Sequence, residues 1–265
     1  MTGGSGLSRK ILTVMLLSAM TTSYGADNSI YIDQSGENAT ITMLQDGTGN
    51  RIRAIQSVGN TGNTIPSKLK GDAVSIDVQQ VGSGNVLNLG VDTTTANGSS
   101  PTSVYYKVTG SNAVGTIDIN NGGSNTAASQ ALSIDQTGDG AISTVSMLGS
   151  DNSLTAIMAG GNNNKLIATI DASNVTATIN QTGGGGNETT LNLTGDKGTV
   201  DIVTVGSTNV TSIIQSGGGV AGHYAKVDLT GSGNTTTINQ SGTVDSLTNI
   251  KSVGNGNTFS ITQRN

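Results

Sequence analysis

The sequence predicts an all-β protein, a β-solenoid of stacked two-strand rungs of about 22–25 residues with amyloid-like cross-β pairing. Three observations carry that prediction. The composition is too poor in apolar residues for a thick core, short runs alternate with a period of two, and those runs return every eleven or twelve residues with a glycine behind them.

The 265 residues are 33% hydrophobic, 2% aromatic and 11% charged, with 39 glycines and two prolines. An ordinary globular domain has nearly half its residues apolar and about a quarter charged, so one large packed core is not expected. The low charge equally argues against a self-repelling disordered chain. Abundant Asn, Ser, Thr, Gly and Val supply turn formers and strand formers together.

Residues 1–26 read as a secretory signal peptide: Arg9 and Lys10, then ILTVMLLSAM, then small and polar residues ending in SYGA. The apolar run is too short to span a bilayer, so the segment is an address, cleaved after Gly25 or Ala26, and is left out of the fold. Its removal takes two basic residues and no acidic one, leaving ten against seventeen, a net charge of −7. With no cysteine in the chain, disulfides contribute nothing.

The repeat is clear over residues 27–60, where Gln34, Gln45 and Gln56 stand eleven residues apart. Written N-x-Φ-x-Φ-x-Q, the strand motif fits Asn28, Ile30, Ile32, Gln34 and Asn257, Phe259, Ile261, Gln263. Looser copies are Asn50, Ile52, Ala54, Gln56, then Asn209, Thr211, Ile213, Gln215, then Asn234, Thr236, Ile238, Gln240. These residues share one parity, so in an extended strand they line one face, while Tyr31, Asp33, Arg51, Ser212 and Thr262 fall on the other. That is the alternation of a half-buried strand.

Residues 61–130 are irregular, and Pro66, Pro101 and the stretch TTTANGSSP predict enlarged loops, since proline cannot donate to a central ladder. Residues 131–265 are regular. Their strands end at Gln136, Met147, Met158, Ile170, Gln181, Leu193, Thr204, Gln215, Leu229, Gln240, Ser252 and Gln263, and a glycine follows two residues later after most of them. Each is read as a strand followed by a tight turn, with glycine reaching positive φ cheaply. Two strand-turn units make one rung, and about ten rungs fit the chain. A strand with two or three inward aliphatics cannot bury them alone, so rungs must stack, and Asn and Gln then form amide ladders at a spacing of about 4.7–4.8 Å. The expected ladder and assembly residues are Asn28, Gln34, Gln45, Asn50, Gln56, Gln80, Asn85, Gln136, Gln181, Asn209, Gln215, Asn234, Gln240, Asn257 and Gln263.

In this pattern the sequence resembles the curlin family, subunits of bacterial curli amyloid fibres, whose repeat is S-x5-Q-x-G-x2-N-x-A-x3-Q. Gln45, Gly47, Asn50 and Gln56 fall on it, with Ile52 in place of alanine, and Gln80, Gly82 and Asn85 match its centre. The resemblance implies a secreted structural subunit of a fibre on the bacterial cell surface, serving adhesion and biofilm matrix. It also implies self-association as a homopolymer, a related nucleating subunit, and a secretion pore with chaperones as partners. Seven of the twelve late strand ends depart from the family's glutamine, which interrupts the amide ladder.

No chemistry-bearing constellation competes with this reading, and no enzyme, cofactor or metal is expected. His223 is the single histidine, in GGGVAGHY, and reads as a surface turn residue. Asp135 and Asp139 read as solvent-facing charge beside a turn rather than an acid–base pair. Asp139, Asp151 and Asp196 do not recur as a calcium-binding nonapeptide repeat requires. The glycines at 183–186 lack the Lys-Ser or Lys-Thr of a phosphate loop. Acidic balance and few aromatics argue against nucleic acid. The competing function is a monomeric β-solenoid adhesin that binds a surface, a glycan or ice, for which Thr235 to Thr237 form a patch.

Overall fold

A computed structural model describes residues 13–17, 29–30, 34–35, 40–46, 51–52, 67–70, 74–92 except 83, 102–109, 112–119, 129–137 and most of 140–264. Asn28, Asn50 and Gln56 lie outside the described residues. Among the described residues the secondary structure is strand and turn with no helix, and the strand pairs are parallel throughout. The protein is a parallel, solenoid-like coil.

Pairing skips one strand, which sorts the strands into two columns. The first column passes through Leu87–Asp92, Val114–Ile119, the front halves of Ile142–Ala159 and Lys165–Thr182, then Thr189–Leu193, Thr211–Gln215, Thr236–Ile238 and Phe259–Ile261. The second passes through Thr40–Asp46, Ser75–Val81, Thr102–Thr109, Gln130–Thr137, the rear halves of the two long strands, Lys197–Thr204, Tyr224–Leu229 and Leu247–Ser252. A chain that winds always in one sense presents each strand to its successor in the same direction, which is why the pairs are parallel.

The predicted parity holds. Along Gln130–Thr137 and Thr102–Thr109 burial alternates strictly, and Ile213, Ile238, Val227 and Ile202 are buried completely. Their side chains meet between the columns in one continuous apolar core. Burial of such alternate aliphatics contributes roughly 1.5–3 kcal/mol per side chain, enough to hold thin layers only when many are stacked. Size is matched across the core. Tyr106 is fully buried, and a Cβ on Gly115 would come within 2.9 Å of its ring, so the largest core side chain faces a residue with none.

Two expectations need correction. The middle is not irregular in its strands, which keep the column register. Its connections are longer, because Thr102 registers with Gln130, a step of 28 residues, whereas Gln130 registers with Asn152, a step of 22. The expected places of Ala54 and Gln56 fall outside the described residues; Ile52 registers with Leu87, Ser67 with Leu89 and Gln34 with Leu69.

Second, Met147 and Ile170 are not followed by a turn. Ile142–Ala159 and Lys165–Thr182 are continuous strands of 18 residues that serve both columns, and Gly149 simply registers with Ala172. In the full chain Thr13–Leu17, within the segment read as a signal peptide, pairs with Thr40–Leu44 at the head of the second column. An apolar run rich in β-compatible residues satisfies the strand edge it meets.

Candidate assembly interface and amide ladders

The turn that leads into the first column explains why Gln, Gly and Asn recur together. Asn209 donates from Nδ2 to Asn187 Oδ1 at 2.9 Å and to the Gly206 carbonyl at 2.7 Å. One coil later Asn234 repeats the arrangement, donating to Asn209 Oδ1 and to the Gly231 carbonyl at 2.8 Å. Asn257 in turn donates to Asn234. Asn209 and Asn234 each thus use one N–H to close their own turn and the other to hold the coil before it, which spends both donors of the amide. Asn187, outside the expected ladder set although it stands one period before Asn209, belongs to this ladder.

Glycine is needed at these turns for a reason the sequence reading did not give. Gly231 does not have positive φ, but a Cβ there would lie 1.4 Å from the Gly206 carbonyl oxygen. Turns stack as closely as strands, so the side chain is excluded by the coil beneath. Positive φ is used instead at Gly82, Gly84, Gly233 and Gly256.

The glutamines divide into two groups. Gln80 donates to Gln45 Oε1 at 2.9 Å, and Gln215 donates to Gln240 Oε1 at 2.9 Å, as a ladder requires. Others brace the coil they belong to. Gln136 accepts from Ser143 at 2.8 Å, and Gln181 accepts from Thr189 at 2.7 Å while donating to the Glu188 carbonyl at 2.9 Å. Gln80, Gln215 and Gln240 also reach forward, to the Val86 carbonyl, the Tyr224 carbonyl and Thr248 Oγ1. Between neighbouring glutamines of the second column stand Val108 and Met158, so there the ladder is broken and Gln181 Nε2 meets the Met158 sulfur at 3.7 Å. Asn85 is buried, but the corresponding residue of the next coil is Ala113, which offers no amide.

Tyr106 completes the network around Gln80, donating its hydroxyl to Oε1 at 3.1 Å. Burial pushes its phenol well above the ordinary tyrosine range, opposed by hydrogen bonding with Gln136. On the outer faces, opposite charges are placed one coil apart. Lys165 meets Glu188 at 3.0 Å, Lys226 meets Asp201 at 3.1 Å, and Lys251 meets Asp228 at 3.6 Å. The hydrogen bond to Asp201, then its charge, raises the Lys226 pKa.

His223 is not a surface residue. It is buried, adopts φ 60°, and lies against Gly242, where a Cβ would come within 2.0 Å of its ring, with Nδ1 3.5 Å from Ser246 Oγ. No group of three or more metal-ligating side chains occurs among the described residues.

The last coil differs from all those above it. Phe259 and Ile261 occupy the inward places held by Thr236 and Ile238 one coil earlier, yet they are 43% and 46% exposed where Ile238 is 0%. Asn257 and Gln263 are exposed beside them. The strand Phe259–Ile261 is paired with Thr236–Ile238 on one side, and its other edge carries no partner among the described residues. Comparison of the chain with protein-family models, with curated proteins and with solved structures finds no match.

Proposed function

We propose that this chain is a secreted structural subunit of an extracellular, curli-type amyloid fibre, resembling the curlin family through its Gln, Gly and Asn repeat and growing by rung-on-rung stacking. The last coil is the observation that carries this reading. It offers an unpaired strand edge and an exposed inward face bearing Asn257, Phe259, Ile261 and Gln263. The strand that would extend it is in the chain itself, since Asn28, Ile30, Ile32 and Gln34 repeat the same motif. A second copy that laid this segment on the last coil would continue the asparagine ladder, bury Phe259 and Ile261, and pair an edge of the kind that templates strand addition. Such contact is head to tail and non-closing, and non-closing heterologous contacts give filaments. Two-strand rungs and cross-β stacking are the geometry of this assembly.

The outer charges support stacking of whole coils over flat in-register stacking of separate chains. Lys226 over Asp201 and Lys251 over Asp228 attract when successive coils belong to one chain. In a flat in-register stack each lysine would lie over its own copy. The fibre is accordingly a homopolymer at the outer cell surface, with a nucleating relative and a secretion pore as its partners by resemblance.

Seeded growth of the chain lacking residues 1–26 tests this reading. Thioflavin-positive fibres with a meridional reflection near 4.7 Å are expected. A Phe259→Lys, Ile261→Lys double variant is expected to slow elongation, because charge at an edge blocks pairing. A soluble monomer without that reflection after seeding contradicts it.

A further inference from the structure

The turn that leads into the first column recurs in the sequence as G-x-G-N, at 47–50, 82–85, 184–187, 231–234 and 254–257. At Gly84, Gly233 and Gly256 its second glycine takes the same left-handed backbone, with φ 75°, 75° and 74°, which glycine reaches at no steric cost. The place before that glycine is less constrained: Thr48, Ser83, Gly185 and Ser232 fill it in turn, and only in the last coil is it an asparagine, Asn255.

Asn255 is exposed in a bend, whereas the ladder asparagines Asn209 and Asn234 are buried with both amide N–H groups engaged. Asparagine is a thermolabile residue, because the main-chain nitrogen that follows it can attack its side-chain carbonyl carbon. A glycine next in the chain has no side chain to obstruct that attack. Asn97–Gly98 and Asn121–Gly122 are the same dipeptide and lie outside the described residues.

We propose that Asn255 and Gly256 form a self-modifying site that converts to isoaspartate and releases the last coil. The Gly256 nitrogen bonds to Asn255 Cγ, the Cγ–Nδ2 bond breaks, and ammonia leaves with the Gly256 proton, closing a succinimide. Water then opens the ring at the former backbone carbonyl, which becomes a free carboxylate while the main chain runs through Cγ, one methylene longer. The turn has no room for that insertion. A Cβ on Gly256 would already touch Gly233 Cα at 3.4 Å, and the Asn255 carbonyl accepts from the Gly233 N–H at 2.9 Å. Lengthening the chain here displaces that carbonyl and the Asn257 amide that donates to Asn234. The loss of growth from this end that follows rests on the fibre reading; the chemistry and the loosened coil do not.

The dilute monomeric chain lacking residues 1–26, held folded at mildly alkaline pH and sampled over time, tests the proposal by acid digestion with mass spectrometry and by amide hydrogen exchange. The peptide carrying Asn255 is expected to gain about 1 Da, chiefly as isoaspartate, while those carrying Asn209 and Asn234 keep their mass. The modified chain is expected to lose exchange protection at Gly233 and Thr236, whose N–H groups bond the carbonyls of Asn255 and Thr258. Asn255→Ser, which restores the residue of the preceding coil and keeps Gly256, is expected to hold both mass and protection. Aged chain is expected to seed fibres less well than fresh chain, and aged Asn255→Ser as well as fresh. If fresh chain forms no fibres the fibre reading fails, and mass and exchange still decide the site. Asn255 that loses its amide no faster than Asn209, or a modified chain that keeps full protection at Gly233, would overturn the proposal.

Discussion

Two stretches of the first column close their strands in different ways. From Val91 through Ile119, Met147 and Ile170 to Leu193, the last inward place is aliphatic. One coil further on, at Gln215 and Gln240, it is an amide, and the asparagine ladder runs alongside. Both stretches are equally buried, so the amides are not there to supply burial. Apolar contact is non-directional, whereas an amide bond is satisfied at one distance and one angle. The aliphatic stretch contributes stability that tolerates small shifts of one coil over another. The amide stretch fixes which residue lies over which, next to the coil where a further chain would have to find its register.

The comparison can be broken most severely at the turns. Gly231→Val forces a side chain into the Gly206 carbonyl, and chemical denaturation should show a loss of more than about 4 kcal/mol. Gly149→Ala, at the corresponding step of a continuous strand, should change stability little, because its partner Ala172 already carries a Cβ. Equal effects of the two would show that glycine serves something other than close stacking.

Next in size is a pair of truncations, one from each stretch. Met147→Ala opens a cavity and is expected to cost about 2–5 kcal/mol. Asn209→Ala leaves Asn187, Asn234 and the Gly206 carbonyl short of a partner, for about 1–3 kcal/mol. The sharper distinction is that Asn209→Ala should also broaden the amide spectrum of the last coils, where Met147→Ala should leave their register intact.

A smaller effect depends on pH. The Tyr106 phenol is held above its unfolded value by burial, so its stabilisation is present below the ordinary tyrosine pKa of about 10. As pH rises past that value the unfolded chain loses the proton first, and stability falls. Tyr106→Phe should lack this alkaline component when denaturation midpoints are compared across pH. An identical decline in both proteins would contradict the burial of the phenol. Smallest of all, Lys226→Ala should leave the midpoint unchanged within scatter, since its partner is an exposed surface carboxylate and water screens the pair.

Much of this architecture was legible in the sequence. The inward parity of Ile213, Ile238, Val200 and Ile202 follows from alternation alone, and the glutamine-to-glycine-to-asparagine spacing marked the turns that stack. What could not be read depends on neighbours distant in sequence. A glycine required by a carbonyl one coil away looks the same as one required by its own φ. The corner at Gly149 contains turn-forming residues, yet pairing with Ala172 of the next coil keeps it extended. His223 lies in a glycine-rich segment that reads as surface, and only the stacking of Gly242 beside it makes a buried place.

Mass per length of the fibre tests the central claim most directly. Stacking of whole coils predicts one chain for about every ten layers of roughly 4.8 Å, or on the order of 50 Å of fibre per chain. One chain per single layer of about 4.8 Å would mean that separate chains stack flat and in register, and would contradict the coil described here.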